Sequence, residues 1–225
     1  MGKVVIVRKV EDLEKLRNYK DVERLTVFIL GNISFENGYY FLPINLPNTD
    51  VVVYGLNNCI NNLNVNNIKS FNSGLFGSVK NLYVKNLKMR DAKVKGTEMC
   101  GILAGYVEFE LNVDGVEIEG IINSDAISGG LIGRGYNTKI SNSIICPTIE
   151  GRGCIGGIAG MASTCEVNNS IISATFKPTE IRATGNLVDQ YVGYLDSREN
   201  GRVAALTKEV NDYVEEKQMT KEYHL

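Results

Sequence analysis

Gly129-Gly-Leu-Ile-Gly133 and its four counterparts decide the fold of this chain: Ser73-Gly-Leu-Phe-Gly77, Gly101-Ile-Leu-Ala-Gly105, Gly156-Gly-Ile-Ala-Gly160 and Asp189-Gln-Tyr-Val-Gly193. Their first residues stand at 73, 101, 129, 156 and 189, at intervals of 28, 28, 27 and 33. A short Gly-anchored apolar motif that returns at this distance is the signature of stacked coils, because one turn of chain buries its apolar face only against the next turn. The pattern predicts an all-β protein, a right-handed parallel β-helix (β-solenoid) with an N-terminal β/α cap and a C-terminal capping helix.

Outward from the motif, its third position reads Leu75, Leu103, Leu131, Ile158 and Tyr191, and its fourth Phe76, Ala104, Ile132, Ala159 and Val192. Adjacent strand residues point to opposite faces, so one column is expected in the core and the other outside. The outer column then needs a cover or forms an apolar docking stripe. A C-terminal helix with Leu206, Val210, Tyr213 and Val214 on one face is the candidate cover. Nine residues beyond the last motif glycine stand Asn86, Asp114, Asn142 and Asn169, a column whose amides would hydrogen-bond from coil to coil. Residues 57–72 hold eight Asn, which serve either turns or the same stacking.

The segment before the motifs carries strand signals at residues 4–7, 25–30, 39–44 and 51–54, and a helix-like stretch at 11–19. It is expected to start the solenoid and cover its open edge. The organisation is therefore read as one continuous unit: 1–72 an N-terminal cap and first coils, 73–200 the repeats, and 201–225 a C-terminal helix and tail.

The chain has 225 residues, 44% hydrophobic and 22% charged, with a formal net charge of −2. That balance points to no polyanion partner, so direct nucleic-acid binding is not expected. Apolar runs fall well short of the ~20 residues a membrane helix needs, and the N-terminal run is too short for a signal sequence, so a cytoplasmic location is expected. Cys59, Cys100, Cys146, Cys154 and Cys165 form no C-x-x-C pair and read as small reduced hydrophobes.

Gly74-Leu-Phe-Gly77 and Gly130-Leu-Ile-Gly133, with Ile140-Ser-Asn-Ser143 and Val167-Asn-Asn-Ser170 behind the motifs, resemble the GLUG-type repeat family of bacterial surface and adhesin-like proteins. Val10-Glu-Asp-Leu13 and Gly55-Leu-Asn-Asn-Cys-Ile-Asn-Asn-Leu63 resemble what precedes such repeats, so the likeness extends over most of residues 1–195. The resemblance implies a β-solenoid. It supplies no catalytic residues.

The residues themselves offer little chemistry. The single histidine, His224, is next to last, which leaves no Ser-His-Asp or Cys-His arrangement, and no phosphate loop or metal-ligand spacing occurs. No cofactor, metal site or enzymatic activity is expected. One feature departs from the ordinary: Glu108, Glu110, Asp114, Glu117 and Glu119 are concentrated in a coil with no Lys or Arg between Gly96 and Gly133. Glu108 with Glu110, and Glu117 with Glu119, are expected to share an outward face, alternating with the core residues Phe109, Leu111 and Ile118. The preceding coil carries Lys80, Lys85, Lys88, Arg90, Lys93 and Lys95, so ion pairing between adjacent rows is the ordinary outcome. If the rows lie on different faces, the five carboxylates become a partner-binding surface.

The leading expectation is a non-enzymatic binding protein whose rigid face occupies a protein partner, in its concrete form a phage or mobile-element inhibitor of a host nucleic-acid enzyme. Two alternatives stand beside it. One is a carbohydrate-binding or polysaccharide-cleaving β-helix, whose paired carboxylates would stand about 5–9.5 Å apart. The other is a structural module that self-associates as a homo-oligomer.

Overall fold

In the computed structural model the described residues form a parallel β-solenoid of about six turns, with one short α-helix among them. The structure describes residues 2–68, 71–178, 187–189, 192–195 and 202–205. Residues 206–214, where a C-terminal helix is expected, and His224 lie outside the described residues. Each full coil contributes to each of three sheets, and every strand pair among the described residues is parallel, so successive coils stack in register. In one coil the first face is Ile132–Ser141, the second Ile144–Gly151 and the third Cys154–Gly156.

The coil from Gly133 gives the basic dimensions. Asn142, Gly151 and Gly160 follow at nine-residue steps, one per face, which makes 27 residues the unperturbed turn. The two 28-residue intervals each hold one extra residue, and the strand registers place them. Between Gly105 and Gly115 the first-face strand Ala104–Asp114 slips by one against both neighbours beyond Val107. Between Asn86 and Gly96 the slip is on the second face, at Asp91, whose φ is 52°. The longer final interval gains six residues between Pro178 and Leu187, which pair with Gly151 and Cys154.

Register turns sequence periodicity into columns. On the first face Val27, Val53, Val84, Val113, Ile140 and Val167 stack one above another, all buried. On the second, Ile33, Ile60, Met89, Ile118, Ile145 and Ile172 do the same. β-Branched side chains suit this geometry because each packs on its own kind along a pleated surface.

The motif proves to be a corner, and this overturns the expected outer stripe. Its third residue precedes the first-face strand, which begins at the fourth, and Leu75, Phe76, Leu103, Ala104, Leu131, Ile132, Ile158 and Ala159 are all at most 1% exposed. Where the chain bends between faces, strand alternation lapses and two successive side chains are buried. The ladder still runs through the bend: the N–H groups of Leu103 and Ala104 both donate to the Leu131 carbonyl, at 2.9 and 3.2 Å. The closing glycine is required by close approach, since a Cβ on Gly133 would stand 2.5 Å from the backbone nitrogen of Cys100, and one on Gly105 would stand 2.5 Å from that of Ser73.

The next corner explains the asparagine column. Asn86, Asn142 and Asn169 have φ of 51°, 51° and 46°, the left-handed region that Asn tolerates better than other side chains. In the bulged coil the extra residue shifts this role from Asp114 to Gly115, at φ 66°. The expected amide ladder forms in part: the Asn169 side chain donates to Asn142 at 2.6 Å, and Asn142 donates to Asp114 at 2.8 Å.

At the N-terminal end, β1 (Lys3–Val7) pairs with β2 (Arg24–Ile29), and α1 (Val10–Lys15) runs between them into a 3₁₀ turn. Leu13 and Leu16 join the buried cluster that contains Val7, Leu25, Phe35 and Phe41. The Asp12 carboxylate accepts the Arg8 N–H at 3.1 Å, which is the foremost reason its pKa is lowered. Arg17 sits 4.7 Å from the Phe41 ring centre and donates to the Leu42 carbonyl. Among the described residues no helix is long and apolar enough to cross a membrane.

Candidate functional site: a bulged edge of the solenoid

The five acidic residues do not share one face. Glu108, Glu110 and Asp114 belong to the first-face strand Ala104–Asp114, and Glu117 and Glu119 to the second-face strand Glu117–Ser124. Gly115 turns the chain between them. The cluster therefore straddles an edge of the solenoid.

Three of the five are held by the rows above and below. Asp114 lies beside Lys85 in register and 3.2 Å from its ammonium, and accepts from Ser141 at 3.0 Å as well as from Asn142. Its pKa is lowered, first by the Asn142 hydrogen bond, then by Ser141 and Lys85. Glu117 binds Lys88 at 2.6 Å and Arg90 at 3.3 Å, and the Lys88 hydrogen bond leads the lowering of its pKa. Glu110 is 3.3 Å from Lys139 and accepts from the Tyr83 hydroxyl at 3.1 Å. Burial, followed by the charge of Glu110, raises the Tyr83 pKa. The basic and acidic rows meet as cross-strand neighbours, and the in-register stacking of coils is the reason.

Glu108 and Glu119 are the exposed members, and no ion pair holds either among the described residues. Glu108 does not pair on one face with Glu110, because the extra residue intervenes. Two residues, Glu108 and Phe109, lie opposite the single Tyr136, and the alternation beyond them is reset. Phe109, expected in the core, is instead 48% exposed, whereas Leu111 and Ile118 are buried as expected. A bulge re-aims side chains in this way and is over-represented beside binding and active sites.

The bulge gathers residues that sequence reasoning missed. Tyr106 and Arg134 pair across the ladder, and Tyr136 is 39% exposed. Together with Glu108 and Met161 they line a shallow hollow of about 40 Å³. The available signal was the 28-residue interval, read against a 27-residue turn. On the adjoining face the second bulge, at Asp91, neighbours a larger hollow of about 260 Å³, lined by Arg90, Glu117, Glu119, Ile144 and Cys146.

This arrangement offers planar aromatic surface, a guanidinium and a carboxylate in one place, which is contact chemistry. Among the described residues no group of three or more His, Cys, Asp or Glu is placed to hold a metal ion. Cys59, Cys100 and Cys165 are buried as expected, and burial pushes the Cys100 thiol up to about 11, far from a reactive thiolate. Cys146 is exposed and Cys154 half-buried, so the reading as small buried hydrophobes suits only the other three. No protein-family model, curated protein or solved structure matches the chain.

Proposed function

We propose that the protein is a non-enzymatic binding protein that occupies a protein partner with the bulged edge of its solenoid. The contact is centred on Glu108, Phe109, Tyr106, Arg134 and Tyr136, with Glu119 on the adjoining face. The observation that carries this reading is the single inserted residue: it interrupts an otherwise regular coil and leaves an apolar ring in solvent beside Arg and Tyr. Aromatic and Arg side chains at the centre of a patch, with charges at its margin, are the composition of energetic hot spots. A stacked solenoid also holds these groups on rigid strands, so little ordering is required on binding.

The GLUG-type resemblance and the inhibitory form of the reading, in which the partner is a nucleic-acid enzyme, remain proposals of the same kind. Glu110, Asp114 and Glu117 contribute less to binding on this view than Glu108 and Glu119, because they already serve Lys and Arg of their own chain. Co-purification from the native host, with wild-type protein and F109A/Y136A in parallel, tests the proposal. A partner retained equally by both would sink this contact surface. A second reading has its own support: the exposed Phe109 and Tyr136 rings on adjacent strands suit the apolar face of a sugar. Glycan-array binding lost in F109A/Y136A would favour it over a protein partner.

A further inference from the structure

We infer that Asn81 is the positioning residue of the bulged edge, a role that rests on reading that edge as the contact. Its side-chain amide bridges the irregular strands on either side and fixes the extra residue between Val107 and Glu110, so that Glu108 and Phe109 are put forward.

Asn81 lies in the strand Phe76–Lys85, between two strands that both slip against it. Toward the bulged coil, Val107 pairs with Val79 and Leu111 with Leu82, so residues 108–110 stand against Lys80 and Asn81. Toward the preceding coil, Leu46 pairs with Val79 and Asp50 with Asn81, so residues 47–49 stand against Lys80 alone. A bulge disrupts the ladder locally, and a backbone donor left without a partner costs more than a satisfied bond returns. The donor here is the Glu110 N–H, and the Asn81 side-chain carbonyl accepts it at 2.9 Å. The Asn81 amide nitrogen points the other way and donates to the Asp50 carboxylate at 2.8 Å. An aspartate at 81 would oppose Asp50, and an apolar residue would serve neither neighbour.

Glu110 is held at its other end as well, where its carboxylate accepts from Tyr83 at 3.1 Å and from Lys139 at 3.3 Å. Val107 and Leu111 are both fully buried, so the slack of the strand is confined to Glu108 and Phe109. The pin excludes a competing arrangement. Val107, Phe109, Leu111 and Val113 are all apolar, and plain alternation across them would turn Phe109 inward. At the same level of the next coil Asn137 pairs with Glu110 and accepts from the Thr164 hydroxyl at 2.8 Å, so side-chain amides supplement the ladder on both sides of the bulge.

Site-resolved amide exchange and hydroxyl-radical labelling of Phe109 test the inference on wild type, N81A, N81D and D50N/N81D. In N81A the Glu110 amide is expected to exchange about tenfold faster, while the Val84 and Val113 amides keep their rates. Labelling of Phe109 is expected to fall as the strand gains its alternative register. N81D, with two carboxylates opposed, should behave like N81A. The swap D50N/N81D rebuilds both hydrogen bonds with the amide on the other side, so it should return both readouts to wild type, which a general loss of stability would not do. Glu110 exchange or Phe109 labelling unchanged in N81A, or no recovery in the swap, overturns the inference. Partner capture is read separately: capture indifferent to N81A, with Glu110 and Phe109 responding, sinks the contact reading and leaves the positioning role standing.

Discussion

The coil that starts at Gly101 and the one that starts at Gly129 are neighbours built on the same plan, and one residue separates them in length. The later coil keeps nine residues per face and turns its first corner with Asn142. The earlier coil spends one extra residue at Glu108 and Phe109, resets its strand, and turns the same corner with Gly115. The inner columns pass through both without interruption, since Val113 pairs with Ile140 and Leu111 with Thr138. A solenoid therefore tolerates an insertion on the solvent side of a face while its core register is restored two residues later. Regularity carries stability, and the departure from it carries the candidate contact.

Breaking what the two coils share should have the largest effect. Gly133→Val in the regular coil, or Gly105→Val in the bulged one, drives a side chain into the backbone of Cys100 or Ser73, which cannot move without parting two sheets. Loss of folding, or destabilisation beyond about 4 kcal/mol by denaturant titration, is expected in either coil. Leu111→Ala should cost about 2–5 kcal/mol as a buried large-to-small change, despite lying two residues from the bulge. A much smaller cost would mean that the register is not restored there.

The corners separate the coils more finely. Asn142→Ala keeps a side chain at φ 51° and loses the bond to Asp114, for an expected cost of about 1–2 kcal/mol. Asn142→Gly should recover the conformational part of that cost, as Gly115 does in the other coil. Comparing the two melting temperatures isolates it.

Deleting Phe109 sharpens the comparison most directly, because it converts the bulged coil to the regular length. Stability is expected to change by less than about 1 kcal/mol while partner capture is lost. Severe unfolding on this deletion would show the bulge to be structural.

The smallest effect concerns the charged rows. Asp114 and Glu117 have lowered pKa values in the folded chain, so their contribution is present above the ordinary carboxylate pKa of about 4 and fades as pH falls through the lowered values. Melting temperature should therefore decline below about pH 4, and Lys88→Met should flatten that decline. Because these pairs are only partly buried and remain open to solvent, Lys88→Met at neutral pH is expected to cost less than about 1 kcal/mol.

How legible each part was in the sequence follows from the range of the forces involved. The recurrence of Gly-apolar-apolar-Gly exposes the solenoid because each coil meets the same neighbours, so identical demands return at one period. The opposed Lys and Glu rows were legible for the same reason: stacking brings Lys85 to Asp114 and Lys88 to Glu117. Alternation failed at Leu103 with Ala104, where a corner buries two residues in succession, and at Phe109, where a bulge reverses the sense of the strand. Neither a bend nor a bulge is written in the local pattern; each depends on which residue of the next coil stands opposite.

The sequence by itself therefore determined the architecture: stacked parallel coils, a glycine at each tight approach, and a core of β-branched columns. Its signal is strong because burial and close packing repeat at every turn. Only the tertiary structure decided which of the two faces each carboxylate occupies and that Phe109 lies in solvent. These are properties of register, set by the partner strand beside each residue and not by the residue itself.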